Sequence, residues 1–211
     1  MRIAILIFDR LTALDAVGPY EVLSRIPGSE LTFVAAEAGP KRTDTDRLAL
    51  VAEATIDELP EPDVLLVPGG EGNRPLMRDE RMLDWLRGAD RASTWTTSVC
   101  TGSLLLGAAG LLEGRRATSH WAYRDRLAGF GATAVDERVV TDGKLITAAG
   151  VSAGIDMALT LAARIASDEV AQAIQLGIEY DPAPPFDAGS PERAPGELVE
   201  LVRSLETGSG E

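Results

Sequence analysis

The chain holds one cysteine and one histidine, Cys100 and His120. Cys100 sits within Ser93-Thr94-Trp95-Thr96-Thr97-Ser98-Val99-Cys100-Thr101-Gly102-Ser103. The first half of that stretch is β-branched and aromatic, which suits a buried strand. Past Gly102, the residues Leu104, Leu105, Leu106, Ala108 and Ala109 read as a buried helix. Cys100 is thereby placed on a sharp strand-to-helix turn, which presents a nucleophile to the crevice beyond the strand's carboxyl end. Gly102 removes side-chain bulk where the backbone bends. The N-terminus of the following helix favours thiolate over thiol. A lone cysteine among apolar residues is just as often an inert core residue; its place on the turn argues for chemistry.

A cysteine nucleophile needs a partner to handle its proton. Asp15 follows the first predicted strand at the same carboxyl edge as Cys100, between the apolar residues Leu14, Ala16 and Val17. Burial there raises a carboxyl pKa and lets it share a proton with the thiol. The ordinary alternative for Asp15 is a turn or capping residue. Glu21, further into the same helix, is a rival acid. His120 beside Trp121 reads by spacing as a partly buried histidine, and the two residues are also candidates for the substrate pocket. Gly69 and Gly70 end another predicted strand at this edge, and their N–H groups with that of Thr101 are candidates for an oxyanion hole. An ordinary strand-ending turn explains the two glycines as well. Gly150 and Val151 lie at a further strand-to-helix turn and are candidate pocket walls. One Cys and one His are too few soft ligands for a metal site, and no phosphate-binding glycine loop follows the first strand.

The positioning elements alternate. Arg2–Phe8 is a continuous apolar run, as in a central parallel strand. The stretch Leu11–Leu23 then leads into a helix, with Pro19 suited to its first turn and Gly18 preceding it as a cap. Further strands are expected at Leu31–Ala36, Leu48–Ala52, Asp63–Val67, Ala117–Ser119 and Lys144–Thr147, with an edge element at Val139-Val140. Helices are expected at Pro75–Arg87, Trp121–Leu127, from Ile155 to Ala166, and at Asp168–Ile178. Alternating strands and helices predict an α/β fold with a mainly parallel sheet covered on both faces. Residues 1–180 read as one domain. Residues 181–206 form a Pro-rich arm and a short amphipathic helix, and 207–211 read as a disordered tail.

Composition narrows the partners. The net charge of −13 argues against nucleic acid, which needs clustered Lys and Arg. No basic amphipathic helix suits a membrane surface, and no apolar run approaches the roughly 18 residues of a spanning helix. A single cysteine permits no intrachain disulfide, consistent with a reducing, cytoplasmic setting.

Three motifs carry a resemblance: Ser98-Val99-Cys100-Thr101-Gly102, Leu14-Asp15-Ala16-Val17-Gly18-Pro19-Tyr20-Glu21-Val22 and Val67-Pro68-Gly69-Gly70. Together they resemble the ThiJ/PfpI superfamily. Two more stretches, Gly110 to Trp121 and Gly150-Val151-Ser152-Ala153-Gly154-Ile155-Asp156, resemble its isocyanide hydratase branch and the related ligand domain of AraC-type regulators. The resemblance runs from Arg2 to about Pro195. It implies a flavodoxin-like three-layer sandwich of the class I glutamine amidotransferase kind, usually a homodimer. It also implies Cys100 and Asp15 as the catalytic pair with Thr101 beside them, a small-molecule substrate and no cofactor. In the peptidase-like branch the residue after the cysteine is His, so Thr101 weakens a protease reading. No histidine follows His120, so the amidotransferase triad is absent. The expected function is hydration of an organic isocyanide to an N-substituted formamide, a hydro-lyase reaction through a cysteine thioimidate. The alternatives are a small-molecule or redox sensor and a glyoxalase- or deglycase-type carbonyl detoxification enzyme. A DNA-binding regulator would need about 100 further residues for its paired helix-turn-helix units.

Overall fold

The computed structural model describes residues 1–208, the last two by backbone alone. In chain order the elements are β1 (Arg2–Leu6), α1 (Ala13–Leu23), β2 (Glu30–Ala35), β3 (Gly39–Arg42), β4 (Ala49–Ala52), β5 (Ala54–Thr55) and β6 (Val64–Val67). Then come α2 (Asn73–Leu76), α3 (Glu80–Ala92), β7 (Trp95–Val99), α4 (Gly102–Ala108) and β8 (Arg116–Ala117). A 3-10 segment (Arg124–Phe130) precedes β9 (Thr133–Ala134), β10 (Val139–Asp142), β11 (Leu145–Ala148), α5 (Ala153–Ile165), α6 (Asp168–Gly177) and α7 (Gly196–Gly208).

Seven strands form one sheet in the order β10-β11-β7-β6-β1-β2-β5. Every pair is parallel except β10 with β11. Successive strand residues face opposite sides, yet Ile3 to Leu6 and Val64 to Val67 are all wholly buried. Both faces of the sheet centre are therefore covered, as the unbroken apolar runs predict. Helix α5 packs on β7, β10, β11 and α1, while α4 packs on β6 and β7 beside α3 and the 3-10 segment. The fold is the expected flavodoxin-like arrangement. From β1 the chain runs one way to β2 and then back through β6, β7 and β11. The crevice above the carboxyl ends of β1 and β6 is therefore the topological switch point, where such sheets bind ligands.

Several boundaries differ from the sequence reading. Gly18 and Pro19 lie inside α1, and Thr12 is its N-cap. Gly18 is a packing residue, since a Cβ there would lie 3.1 Å from Ile155 Cγ1 on α5. The single helix expected over Pro75–Arg87 is two. Asp79 interrupts it by accepting hydrogen bonds from the Arg81 and Met82 N–H groups, capping α3. The helix expected at Trp121–Leu127 is a turn leading into the 3-10 segment. Helix α7 continues to Gly208, and the remainder of the expected tail lies outside the described residues.

Candidate active site

Cys100 is the hinge between β7 and α4. Its φ is +58°, in the left-handed region that costs a non-glycine residue energy. The conformation is held from several sides. The Cys100 N–H donates to the Ala148 and Ala149 carbonyls at 3.1 and 3.0 Å. Its carbonyl accepts from the Ser103 and Ser119 hydroxyls at 3.1 and 3.0 Å. Gly102 answers a close approach: a Cβ there would lie 2.0 Å from the Val67 carbonyl oxygen. The turn is thus pressed onto the end of β6, bringing the β6–α2 loop beside the thiol.

Asp15, on the first turn of α1, is wholly buried below this elbow. Its Oδ2 accepts from the Gly69 N–H at 2.8 Å, whereas Oδ1 has no hydrogen-bond partner among the described residues. Burial pushes its pKa up to about 7; the Gly69 N–H and the Cys100 side chain pull the other way. The Cys100 thiol is itself pushed well above its usual range, first by burial and then by the Asp15 charge. The N–H groups of Thr101 and Val151 oppose that rise without reversing it. The thiolate expected from the helix N-terminus is therefore not the resting form. Helix α4 has only seven residues, and desolvation outweighs its dipole. At neutral pH the pair holds a thiol beside a carboxyl group near its midpoint.

The oxyanion-hole assignment of Gly69 and Gly70 does not hold. The Gly69 N–H is committed to Asp15, and the Gly70 N–H to Thr101 Oγ1 at 3.0 Å. The glycines orient the acid and the threonine instead. Gly69 also keeps the centre open, because a Cβ there would lie 2.7 Å from both Thr101 N and Oγ1 and 2.9 Å from Asp15 Oδ2. The N–H groups facing the sulfur are those of Thr101 and Val151.

A cavity of about 170 Å³ opens above Cys100. Its lining includes Thr101, Gly70 and Asn73, the apolar side chains of Leu104 and Met77 with Tyr123, and the charged Arg74, Arg126 and Glu206. His120, Trp121, Gly150 and Val151, expected in the substrate pocket, line a separate cavity of about 590 Å³ together with Leu14 and Arg138. His120 packs on Trp121 and Tyr123, and burial lowers its pKa, so it is an uncharged packing residue rather than a partner of the thiol. Glu21 points elsewhere and pairs with Arg25. Asn73, Tyr123 and the Ser103–Ser119 clamp were missed by the sequence reading. Only Asn73 carried a signal, three residues beyond Gly70 where the chain leaves a paired strand end.

The N-terminal three quarters of the chain, residues 1–164, match the model of the DJ-1/PfpI family. The chain belongs to the DJ-1/PfpI family. Within it, the isonitrile hydratase of Pseudomonas putida is 48% identical over 203 residues, covering 96% of this chain and 89% of that protein. The crystal structure of a ThiJ/PfpI family protein from Pseudomonas syringae superposes with a TM-score of 0.94 at 41% identity, over 97% of this chain and 85% of that one. The HTH-type transcriptional regulator CdhR of Pseudomonas aeruginosa is 30% identical over 171 residues, covering 78% of this chain and 49% of the regulator. No helix among the described residues is long and apolar enough to cross a membrane.

Proposed function

We propose that this DJ-1/PfpI protein is an isocyanide hydratase that converts R–N≡C and water to R–NH–CHO. The observation that carries the reading is the wholly buried Asp15, raised to about 7 beside the only thiol in the chain. The 48% identity to the isonitrile hydratase supports it. An isocyanide carbon is both electrophilic and able to accept a proton, so it needs a nucleophile and an acid that exchange one proton.

The chemistry follows from that pair. As the Cys100 sulfur bonds to the isocyanide carbon, its proton passes to the Asp15 carboxylate. Asp15 then protonates the same carbon, giving the thioimidate R–N=CH–S–Cys100. Water adds to that carbon, the C–S bond breaks, and the formamide leaves with the thiol restored. Overall one water is consumed and no electrons are transferred. A buried carboxyl near its midpoint suits this shuttle, because it both accepts and returns a proton near neutral pH. The small cavity admits a compact group on the isocyanide nitrogen. We place the enzyme in the cytoplasm as a C₂ homodimer, in line with its lone reduced cysteine and with the exposed apolar residues Phe186, Leu201 and Leu205 of the C-terminal arm and α7.

A panel of phenyl isocyanide, methylglyoxal and a casein-type protein substrate tests the reading. Formamide production from the first, with negligible turnover of the others, is expected. Turnover of methylglyoxal alone would instead assign carbonyl detoxification.

A further inference from the structure

Asn73 is 2% exposed, and its amide makes only long hydrogen bonds. Nδ2 lies 3.4 Å from the Pro68 carbonyl and 3.3 Å from Thr101 Oγ1. The opposite amide orientation would set its oxygen against the Pro68 carbonyl oxygen, so the network fixes Nδ2 as the donor. Thr101 Oγ1 also accepts from the Gly70 N–H at 3.0 Å. A hydroxyl has two lone pairs and one proton. With both lone pairs taken, Thr101 retains a single capacity, to donate, and Thr101 lines the cavity over Cys100.

We infer that Asn73 is a positioning residue that locks Thr101 as a hydrogen-bond donor to the nitrogen of the reacting isocyanide. The inference rests on the hydratase reading. In R–N≡C the nitrogen carries formal positive charge and has no free lone pair. Once sulfur adds to carbon, the thioimidate nitrogen gains a lone pair in need of a donor. The Thr101 hydroxyl thus meets an acceptor that exists only after the barrier is being crossed. Such an interaction raises kcat and leaves KM nearly unchanged. Without Asn73 the hydroxyl turns freely, and its proton is lost to other acceptors.

The test is a double-mutant cycle with phenyl isocyanide, using Thr101→Val, Asn73→Leu and the pair. Thr101→Val is expected to lower kcat about 10²-fold, as for loss of one preorganised donor. Asn73→Leu is expected to lower it about 10- to 10²-fold through misplacement of that donor. KM should change little in either. The pair should be no slower than Thr101→Val alone, because Asn73 acts through Thr101. Multiplying losses, a rise in KM without a fall in kcat, or an Asn73→Leu enzyme at the wild-type rate would each overturn the inference. Nitrogen-15 NMR of the Asn73 side-chain amide supplies a readout independent of turnover. Thr101→Val should shift one of its two protons and speed its exchange. An unchanged amide would overturn the inference even in an active hydratase. A shifted amide in a protein that makes no formamide would uphold the Asn73–Thr101 bond and reject the hydratase reading. Circular dichroism on each variant separates misfolding from lost positioning.

Discussion

At the scale of single residues, the chemistry turns on where one proton resides. Asp15 must be ionised to receive the thiol proton, and its carboxyl titrates at about 7. With isocyanide as substrate, kcat/KM is therefore expected to rise as pH increases through about 7, and Asp15→Asn should abolish that limb. The same shift makes a stability prediction. The folded pKa lies above the unfolded value, so the folded state binds the extra proton between the two. Stability is then greatest below the unfolded value near 3.8 and falls as pH rises to about 7. A shift of this size corresponds to a ceiling on the order of 4 kcal/mol. Asp15→Asn should be more stable than wild type at pH 8, and the advantage should vanish near pH 4 in urea titrations. Alkylation of Cys100 by iodoacetamide should lag a free thiol at pH 7 and accelerate only in alkaline solution, because the thiol is held protonated. Asp15 and Cys100 were legible in the sequence because each sits just beyond an apolar strand. The thiol's direction of titration was not legible, since it depends on burial and on a charge 85 positions away in the chain.

At the scale of elements, the β7–α4 elbow presses against β6 and holds the strained backbone that aims the thiol. A methyl at position 102 has no space beside the Val67 carbonyl, so Gly102→Ala is expected to destabilise the fold by about 2–4 kcal/mol. Cys100→Gly relieves the left-handed conformation and should stabilise by about 1 kcal/mol while removing all activity. Guanidinium unfolding midpoints of the two variants check both signs. The β-branched run before Cys100 and the leucines after Gly102 made this elbow readable. The Gly69-Gly70 pair was readable as a tight turn, but its role was misread. Which partner takes an N–H depends on loops from β1 and β6 zipping together: Thr12 N–H donates to the Gly69 carbonyl at 3.0 Å, a contact between positions far apart in sequence. The break at Asp79 was missed because Leu76, Met82, Leu83 and Leu86 fit one helical stripe even though a cap intervenes.

At the scale of the whole molecule, the alternation of apolar strands and amphipathic helices was enough to predict a mainly parallel sheet. The strand order required the resemblance, because periodicity does not say which strands are neighbours. The same limit applies to His120, Trp121, Gly150 and Val151, which line the larger cavity beside the thiol, although the Val151 N–H faces the sulfur. On the outer surface, Leu201 and Leu205 of α7 are 54% and 63% exposed, and Phe186 of the arm is 78% exposed. Static light scattering is expected to give twice the 22.3 kDa of one chain. Truncation before α7 should weaken that association.

The most direct test of the Cys100–Asp15 account is proton NMR of phenyl isocyanide turnover by wild type, Cys100→Ala, Asp15→Asn and Glu21→Gln. Wild type and Glu21→Gln should form N-phenylformamide at equal rates. Cys100→Ala should form none, and Asp15→Asn should be slower by about 10²–10⁴-fold, the usual value of one acid–base group. Formamide production by Cys100→Ala at the wild-type rate would contradict the account, as would an unimpaired Asp15→Asn beside an inactive Glu21→Gln.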